Sequence, residues 1–396
     1  MCGSTERNGN IMKIAIMGYG TVGSGVFEII NSENFKHKDI EVKYILDIKK
    51  LEGKAAEFLT DSFDDVVNDK EVDAVAEMMG GLHPAYEYTK ALLESGKSVV
   101  TSNKELVATY GTELLKTAKE HGVKYNFEAS VGGGIPIISV MKNDLGANSI
   151  KAIAGILNGT TNYILTEMFE KGKDFDEVLK KAQELGYAEK NPAADVEGFD
   201  ACRKIAILSS LAWGEFVDYN DIPTEGITKI TLDDVKYAEK FDSVIKLIGY
   251  AEKDGCGRVY ASVSPMMIKK GEPIASVRDV FNAVEVSCDM LGEAMFYGKG
   301  AGKLPTASAV VADIIDCQNA PKMHNILWGE EKAEMYADKK FRYMIRTKNA
   351  ELDSMDKVCG VVDGENAYIT KPMSAKEIAE LKNEIEIVSY IKIFDI

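Results

Sequence analysis

A glycine-rich turn that directly follows an apolar run is the feature that most constrains the fold of this chain. The segment IAIMGYGTVGSGV carries Gly18, Gly20 and Gly23 between a strand-like run and a helical pattern. The first glycine permits a tight turn, the second lets the backbone approach a pyrophosphate, and the third lets helix and strand pack closely. The motif predicts dinucleotide binding at a helix N-terminus; a glycine-rich turn without a ligand is the alternative. The predicted cofactor contacts of this turn are Gly18, Tyr19, Gly20, Thr21, Val22 and Gly23.

Short apolar runs alternate with amphipathic stretches from Lys13 to about Phe127. This alternation predicts an α/β fold with a parallel, doubly wound sheet of the Rossmann type. After about residue 150 the pattern changes to that of a second, α+β domain, and a small strand-rich tail begins at about Phe341. We predict an N-terminal extension (1–11), a dinucleotide-binding domain (12–135), a substrate-binding domain (136–318) whose end packs back on the first, and a linker with the tail (319–396).

The charge balance argues against two classes of partner. The chain has 63 acidic and 47 basic residues and a formal net charge of −16, which repels nucleic-acid phosphates and anionic lipids. No apolar run is long enough to cross a bilayer, and the first residues lack the order of a secretory signal. The six cysteines, none in CxxC pairs, are typical of reduced thiols. We therefore predict a cytoplasmic protein that acts on a small molecule.

Asp47 ends the second predicted strand, in KYILDIKK. A carboxylate at this place can bond the ribose hydroxyls of a dinucleotide and disfavours a 2′-phosphate, which indicates NAD over NADP. Lys49 and Lys50 act against this interpretation, because they could serve a phosphate. The alternative is that Asp47 only begins a turn.

Two loops of the first domain carry further candidates. TSNKELVATYG places Ser102 and Lys104 after a strand, where a parallel sheet faces its ligand crevice, although a loop lysine is usually only solvated. EASVGGGIPII combines the Glu128 carboxylate with three glycines that free backbone carbonyls to converge. Such oxygen ligands suit a sodium- or calcium-like cation, but the residues alone favour a flexible hinge.

Asp200 and Lys204 share one face at i,i+4 near the start of the helical segment EGFDACRKIAILSS. Hydride addition to a carbonyl leaves a developing alkoxide, which needs a proton donor or a positive charge, and a lysine ammonium supplies both. Asp195, just before this helix, could cap it or point into a crevice. The alternative is an exposed ion pair worth only about 0.3–0.5 kcal/mol. The four histidines form no evident acid–base constellation, so lysine is the candidate for proton chemistry.

Seven motifs in order, from about Met12 to Cys317, resemble the homoserine dehydrogenase family. They are GYGTVGSGV, MMGGLHPA, TSNKELVA, EASVGGGIPI, NGTTNYIL, GYAEKNPAADVEGFDACRKIAIL and GKGAGKLPTASAVVADI. The resemblance implies reversible, NAD(P)-dependent interconversion of L-homoserine and L-aspartate 4-semialdehyde, on the route to threonine, methionine and isoleucine. A non-catalytic NAD-binding sensor and a dehydrogenase for another amino-acid semialdehyde are the alternatives.

The resemblance also implies roles for individual residues. Lys204 is the expected proton donor, and Lys104 the second lysine of the pocket, near nicotinamide and substrate. The expected substrate ligands are Glu189, Asp195 and Asp200, and further cofactor contacts are Gly186, Gly300 and Gly302. A monovalent-cation site, for sodium, maps onto Glu128 and the carbonyls of Val131, Gly133 and Ile135. The NGTTNYIL segment implies a homodimer or a dimer of dimers.

The chain departs from the family pattern in two places. Leu46 stands where many members have an arginine suited to the 2′-phosphate of NADP, which favours NAD. The tail from Phe341 resembles a regulatory ACT domain of βαββαβ order whose first helix is almost missing. Feedback by threonine therefore stays open, and the tail is alternatively a shortened dimerisation module.

Overall fold

The structure is a computed structural model that describes residues 11–319, 327–348, 351–352, 354–362 and 364–395. Residues 1–10 of the predicted extension and residues 320–326 of the predicted linker lie outside the described residues. The chain divides into two units. Unit 1 comprises Met1–Ile138 with Ala301–Glu330, and unit 2 comprises Ser139–Gly300 with Glu331–Ile396.

The strands and helices are numbered in chain order. The strands are β1 Met12–Met17, β2 Ile40–Leu46, β3 Leu59–Thr60, β4 Ala74–Glu77, β5 Ser98–Thr101, β6 Tyr125–Asn126, β7 Ile150–Ile156, β8 Ser243–Lys253, β9 Val259–Lys269, β10 Phe281–Cys288, β11 Glu293–Lys299, β12 Tyr343–Lys348, β13 Asp356–Cys359, β14 Glu365–Ile369 and β15 Ile387–Ile393. The α-helices are α1 Thr21–Ile30, α2 Phe63–Val67, α3 Ala85–Glu94, α4 Lys104–His121, α5 Ile137–Ser139, α6 Gly159–Lys171, α7 Phe175–Glu184, α8 Ala193–Val196, α9 Phe199–Trp213, α10 Leu232–Lys240, α11 Lys303–Asn319 and α12 Ala375–Glu384. None of the helices in the described residues has an apolar stretch long enough for a membrane span.

The sheet of unit 1 has six parallel strands in the order β3-β2-β1-β4-β5-β6. This order confirms the predicted Rossmann-type fold, in which the strand order reverses between β1 and β4. The strands read as continuous apolar runs because helices cover both faces of such a sheet. Ile14, Ile16, Val75 and Val99 are accordingly fully buried.

Helix α11 belongs to unit 1, although it follows the strands of unit 2 in the chain. It packs against α1, where a Cβ on Gly25 would lie 2.9 Å from the Lys303 carbonyl oxygen and from Ala307 Cβ. Only a glycine at this position lets the two helices approach so closely. An ion pair of 2.6 Å between Lys303 and Glu28 joins the same helices.

Unit 2 contains a mixed nine-stranded sheet in the order β11-β10-β7-β8-β9-β15-β12-β14-β13. This sheet confirms the predicted α+β class of the second domain. Strand β8, near the middle of the sheet, has no alternating pattern from which the sequence could predict it. It is buried along most of its length, and a strand covered on both faces shows no alternation of apolar and polar residues.

The tail strands continue the sheet of unit 2. The sequence predicts a linker and a separate small domain over residues 319–396. In the structure β15 pairs in parallel with β9 through Lys392↔Met266 and Ile393↔Met267. The described tail has the order β12-β13-β14-α12-β15, which is an ACT-like order in which the described residues include no helix between β12 and β13.

A buried arginine on β12 anchors the tail to α10. Arg346 is 3% exposed, and its guanidinium donates to Asp234 Oδ1 at 2.8 Å and to Glu365 Oε2 at 2.6 Å. A guanidinium buried in this way needs both carboxylates, because an unpaired buried charge is strongly destabilising. The tail is thus fixed to its unit by charge as well as by the shared sheet.

Candidate active site

The glycine turn of unit 1 has the geometry that a dinucleotide requires. Gly18 has φ +89°, and a Cβ there would lie 2.8 Å from the Met78 carbonyl oxygen. A Cβ on Gly23 would lie 2.0 Å from the carbonyl oxygen of Gly18, so the first turn of α1 can pack against the glycine turn only with glycine at this position. A Cβ on Gly20, in contrast, would meet no atom within 4 Å. The surface above Gly20 is therefore open, at the N-terminus of α1, and fits the pyrophosphate of a nicotinamide cofactor.

Asp47 lies beside this turn. Its Oδ2 accepts the N–H of Tyr19 at 2.7 Å, and its Oδ1 accepts the N–H of Lys49 at 2.9 Å. The carboxylate thus joins the end of β2 to the turn. A carboxylate can accept about four hydrogen bonds, so these two contacts leave capacity for ribose hydroxyls. The side chains of Lys49 and Lys50 are exposed.

Glu77, at the end of β4, is a site residue that sequence analysis missed. It is fully buried, and its carboxylate accepts the N–H of Met79 at 2.7 Å and the hydroxyl of Thr101 at 2.6 Å. Burial raises the pKa of Glu77. The carboxylate therefore joins the loops that follow β4 and β5. The sequence signal that could have identified Glu77 is its place as an acidic residue at the end of an apolar strand.

Lys104 is the first residue of α4, and Asn103 determines where this helix begins. The Asn103 side chain accepts the N–H of Leu106 at 3.1 Å and donates to the carbonyl of Gly81 at 2.6 Å. The N–H of Ser102 lies 3.4 Å from the carbonyl oxygen of Glu77. Ser102 and Lys104 thus both lie at the carboxyl end of β5, on the edge of the sheet where the glycine turn also lies.

The candidate cation ligands lie in one loop of unit 1. Glu128 is 3% exposed, and its carboxylate accepts the N–H of Ile138 at 2.8 Å. The carbonyl of Ile135 accepts the N–H of Ile137 at 2.8 Å, and Gly133 has φ +56° between Val131 and Ile135. Among the described residues, no group of three or more His, Cys, Asp or Glu could hold a metal ion. One carboxylate with several carbonyls fits a hard cation of low charge.

In unit 2, Asp200 and Lys204 form a buried ion pair. They are 5% and 8% exposed, on the first turns of α9. Lys204 Nζ donates to Asp200 Oδ2 at 2.7 Å and to the carbonyl of Leu157 at 2.8 Å. The alternative interpretation, that Asp200 and Lys204 form an exposed ion pair, is therefore wrong. The ammonium is held by one charged and one neutral acceptor.

Asn158 connects this pair to Asp195, and sequence analysis named it only within a segment. Its side-chain oxygen accepts the N–H of Thr161 and caps α6 at 2.9 Å. Its amide nitrogen donates to Asp195 Oδ1 at 2.7 Å and to Asp200 Oδ2 at 2.9 Å. We call Asn158, Asp195, Asp200 and Lys204 the lysine cluster. An Asn before a helical pattern predicts a cap, but nothing local predicts its two carboxylate partners.

The apolar side of α9 supports the lysine cluster. Ala201, Ile205 and Leu208 are at most 1% exposed. A Cβ on Gly249 of β8 would lie 3.2 Å from Ile205 Cβ, so α9 packs closely on the sheet. A helix packed in this way holds a proton donor more precisely than a loop does.

The structure does not bring every candidate into this cluster. Glu189 lies on an exposed segment after α7, and its backbone carbonyl accepts Gln183 Nε2 at 3.1 Å. Gly186 has φ +75° at the end of the same helix. A Cβ on Gly300 would lie 2.1 Å from Asn282 Cγ, and Gly302 has φ +117°. Gly186 and Gly300 belong to unit 2, whereas Gly302 belongs to unit 1.

Comparison with protein families gives two matches. A family model described as homoserine dehydrogenase matches residues 136–315. A model described as homoserine dehydrogenase, NAD binding domain, matches residues 18–128. The two matches cover both the glycine turn and the lysine cluster.

Individual relatives agree with the family models. Homoserine dehydrogenase of Synechocystis sp. is 46% identical over 77% of this chain and 73% of its own length. That of Bacillus subtilis is 43% identical over 77% and 72%. The crystal structure of a homoserine dehydrogenase from Thiobacillus denitrificans has a TM-score of 0.87 at 35% identity and covers 97% of this chain and 98% of its own. A hyperthermophilic archaeal homoserine dehydrogenase in complex with NADPH has a TM-score of 0.68 at 29% identity, over 79% and 99%.

Proposed function

The chain belongs to the homoserine dehydrogenase family, and from this premise we propose which of its residues carry out the reaction. The family interconverts L-homoserine and L-aspartate 4-semialdehyde with a nicotinamide cofactor, so the protein is an oxidoreductase. The observation that carries our assignment is the buried lysine cluster, in which one ammonium is held by Asp200 and by the Leu157 carbonyl. The reaction belongs to the route toward threonine, methionine and isoleucine.

Lys204 is the proton donor in the direction of aldehyde reduction. The reduced nicotinamide supplies a hydride to the aldehyde carbon when it is bound. The aldehyde oxygen then gains negative charge and takes a proton from the Lys204 ammonium, and in the reverse direction the amine takes the proton of the alcohol. Asp200 favours the charged form of Lys204, and Asn158 holds Asp200 in place. The ammonium also stabilises the developing charge before the proton moves.

Three carboxylates bind the polar groups of the substrate. Asp195 and Asp200 are aligned by the Asn158 amide. The exposed Glu189 carboxylate lies outside the lysine cluster, and the resemblance to the family assigns it the same role. Homoserine carries an ammonium group, for which a carboxylate is the natural partner. Lys104 is the second lysine of the pocket, near the nicotinamide and the substrate. The hydrogen bond from Thr101 to Glu77 fixes the loop before Lys104.

NAD is the preferred cofactor. Asp47 beside the glycine turn suits free ribose hydroxyls, and Leu46 cannot bind a 2′-phosphate. The other residues that contact the cofactor are those of the glycine turn, together with Ser102, Lys104, Gly186, Gly300 and Gly302. We expect kcat/KM to be higher with NAD than with NADP, and Asp47→Ala to reduce that ratio. A higher kcat/KM with NADP in the unaltered protein would contradict the preference.

The decisive experiment for the function is turnover in both directions. Purified protein with homoserine and NAD or NADP should give the absorbance of reduced nicotinamide, and the semialdehyde with reduced cofactor should consume it. A panel of other hydroxy amino acids separates this activity from that of a related dehydrogenase. Binding of NAD without turnover of any substrate would instead indicate a sensor.

A sodium ion binds at Glu128 and the carbonyls of Val131, Gly133 and Ile135. The buried carboxylate and the carbonyl-rich loop are the oxygen donors that support this assignment. Sodium NMR should show line broadening with the unaltered protein, and less with Glu128→Gln. Identical broadening for both proteins would exclude Glu128 as a ligand.

The protein forms a homodimer through the free edge of the sheet in unit 2. Edge strand β11 exposes Met295 at 37% and Tyr297 at 54%, and apolar side chains on an open edge favour pairing with another chain. Sedimentation should give twice the chain mass, and Tyr297→Lys should shift the protein toward monomer. A monomer at all concentrations would contradict this assignment.

A further inference from the structure

A cavity of about 260 Å³ lies in unit 2 beside the last strand of the tail. Its wall includes Lys382, Tyr390 and Lys392 from the tail, Ser264 from β9, and Glu225 and Lys229 from the segment before α10. We call it the tail cavity. None of these residues belongs to the lysine cluster or to the glycine turn, so the proposed reaction leaves the tail cavity without a role.

Lys392 places an ammonium in the wall of the tail cavity, where the Glu225 carboxylate of the same wall acts on it only through space. Its Nζ donates to the hydroxyls of Tyr260 and Ser262, both at 3.4 Å, and lies 5.0 Å from the centre of the Phe341 ring. Within the described part of the chain it forms no ion pair with a carboxylate. Burial lowers the pKa of Lys392 to about 8. Two long contacts to neutral oxygens do not replace the water that this ammonium has lost.

Ser264 adds a second unsatisfied polar group. It is 4% exposed, and its hydroxyl has no hydrogen-bond partner among the described residues. It lies two residues before Met266, which pairs with Lys392 across β9 and β15. Alternate residues of a strand share one face, so the hydroxyl is on the same side of the sheet as Lys392. A buried hydroxyl without a partner is uncommon in folded proteins.

The other charges of the wall make the tail cavity positive. Lys229 lies 3.6 Å from Glu225, and the same carboxylate also favours the charged form of Lys392. The Lys382 ammonium lies 3.9 Å from the centre of the Tyr390 ring and, among the described residues, has no ion pair. The three lysines of the wall and its one carboxylate therefore leave two positive charges, in a chain whose formal net charge is −16. A concave site with this charge attracts an anion.

We propose that the tail cavity binds a small dianion, a phosphate or a short dicarboxylate, through Lys392 and Ser264, with Lys382 at its rim. The volume suits a small metabolite and is below that of typical drug-sized ligand pockets. The anion supplies a charged hydrogen-bond acceptor for Lys392, whose contacts in the described residues are to neutral hydroxyls, and the acceptor that the Ser264 hydroxyl lacks. This binding is independent of the proposed reaction, because it uses none of the residues assigned to it.

Calorimetric titration of the full chain, saturated with NAD so that the glycine turn is occupied, tests the proposal. Inorganic phosphate and succinate serve as probes, and acetate serves as the monoanion control. We expect one of the dianions to bind once per chain, and Lys392→Met to weaken it at least about tenfold. The matched control is Lys376→Met, because Lys376 lies on tail helix α12 with its side chain 87% exposed. It should bind as the unaltered protein does.

A measurement on the unaltered protein keeps the proposal testable if the Lys392 variant does not fold. Acetic anhydride should acetylate Lys392 at pH 8, and the bound dianion should protect it, whereas Lys376 should react equally with and without the anion. Protection by phosphate alone or by succinate alone identifies the class of ligand. Absence of binding by both dianions, unchanged binding by a folded Lys392→Met, or unprotected Lys392 would overturn the proposal.

Discussion

Two buried lysines of unit 2 lie beside the same helix, α6, but have different surroundings. Lys204 is 8% exposed and Lys246, on β8, is 4% exposed. Lys204 donates to the Asp200 carboxylate at 2.7 Å and to the Leu157 carbonyl, just before α6. Lys246 donates to Asn162 Oδ1 at 2.9 Å and to the Val277 carbonyl at 2.6 Å. Within the described residues, a carboxylate is thus a hydrogen-bond partner of Lys204 but not of Lys246.

The difference in surroundings bears on our proposal that Lys204 transfers a proton. Burial lowers the pKa of Lys246 to about 8, and the positive charge of Arg278 acts in the same direction, whereas the carboxylates of Glu170 and Asp279 offset only part of the shift. The Asp200 carboxylate instead favours the charged form of Lys204. We therefore assign Lys204 to chemistry and Lys246 to the packing of α6 on the sheet, and substitutions at each should separate these roles.

The largest effect is expected for Lys204→Ala. Loss of the proposed proton donor should lower kcat by roughly 10²–10⁴ and leave NAD affinity near that of the unaltered protein. Steady-state kinetics and calorimetric titration of NAD measure the two quantities. Lys246→Met is the matched control and should keep kcat within a few-fold. An equal loss of NAD affinity in Lys204→Ala would show that Lys204 is structural.

The next effect concerns the pH dependence of stability in Lys246→Met. The pKa of Lys246 is about 8 in the folded state against 10.5 for an exposed lysine, so between these values the unfolded chain binds more protons. The unaltered protein should therefore gain stability relative to the variant as the pH rises from 8 to 10.5, by about 3 kcal/mol. Urea denaturation at several pH values measures this gain. A constant difference between the two proteins would mean that the ammonium is not desolvated.

Asn158→Ala should reduce turnover less than Lys204→Ala does. The variant loses the amide that aligns Asp195 and Asp200, and hydrogen bonds to charged groups contribute about 1.5–3 kcal/mol, which corresponds to roughly a tenfold to hundredfold lower kcat/KM. A structural role alone would leave the pH profile of kcat unchanged, whereas a positioning role should shift it, because Asp200 holds the Lys204 ammonium. The profile of the variant therefore decides between the two.

The smallest effect is expected for Asn162→Ala, one helical turn further along α6. Asn162 accepts from Lys246 and donates to the Phe281 carbonyl at 3.0 Å. Its removal should lower the free energy of unfolding by about 1–3 kcal/mol and change kcat little. Thermal unfolding and kinetics of the same sample measure both. A fall in kcat as large as that of Asn158→Ala would break the distinction between the two lysines.

Local patterns were enough to predict much of unit 1 and part of the site in unit 2. The glycine turn, the alternation of strands and helices, and the i,i+4 spacing of Asp200 and Lys204 all depend on residues that are close in the chain. The Glu77 carboxylate, in contrast, bonds Thr101, which is 24 residues away. Asn158 bonds two carboxylates 37 and 42 residues away, and a single sequence contains no local signal for such partners.

The order of residues by itself determined the alternation of strands and helices in unit 1, which glycines a tight turn requires, and which faces of α9 are apolar and charged. These follow from backbone sterics and from the period of each element, both of which act over a few residues. Only the tertiary structure decided which of the charges are buried, and beside which neighbours. Burial of Lys204 against Asp200, of Lys246 against neutral oxygens and of Lys392 beside an open cavity depends on distant segments, and desolvation gives each lysine its different chemistry.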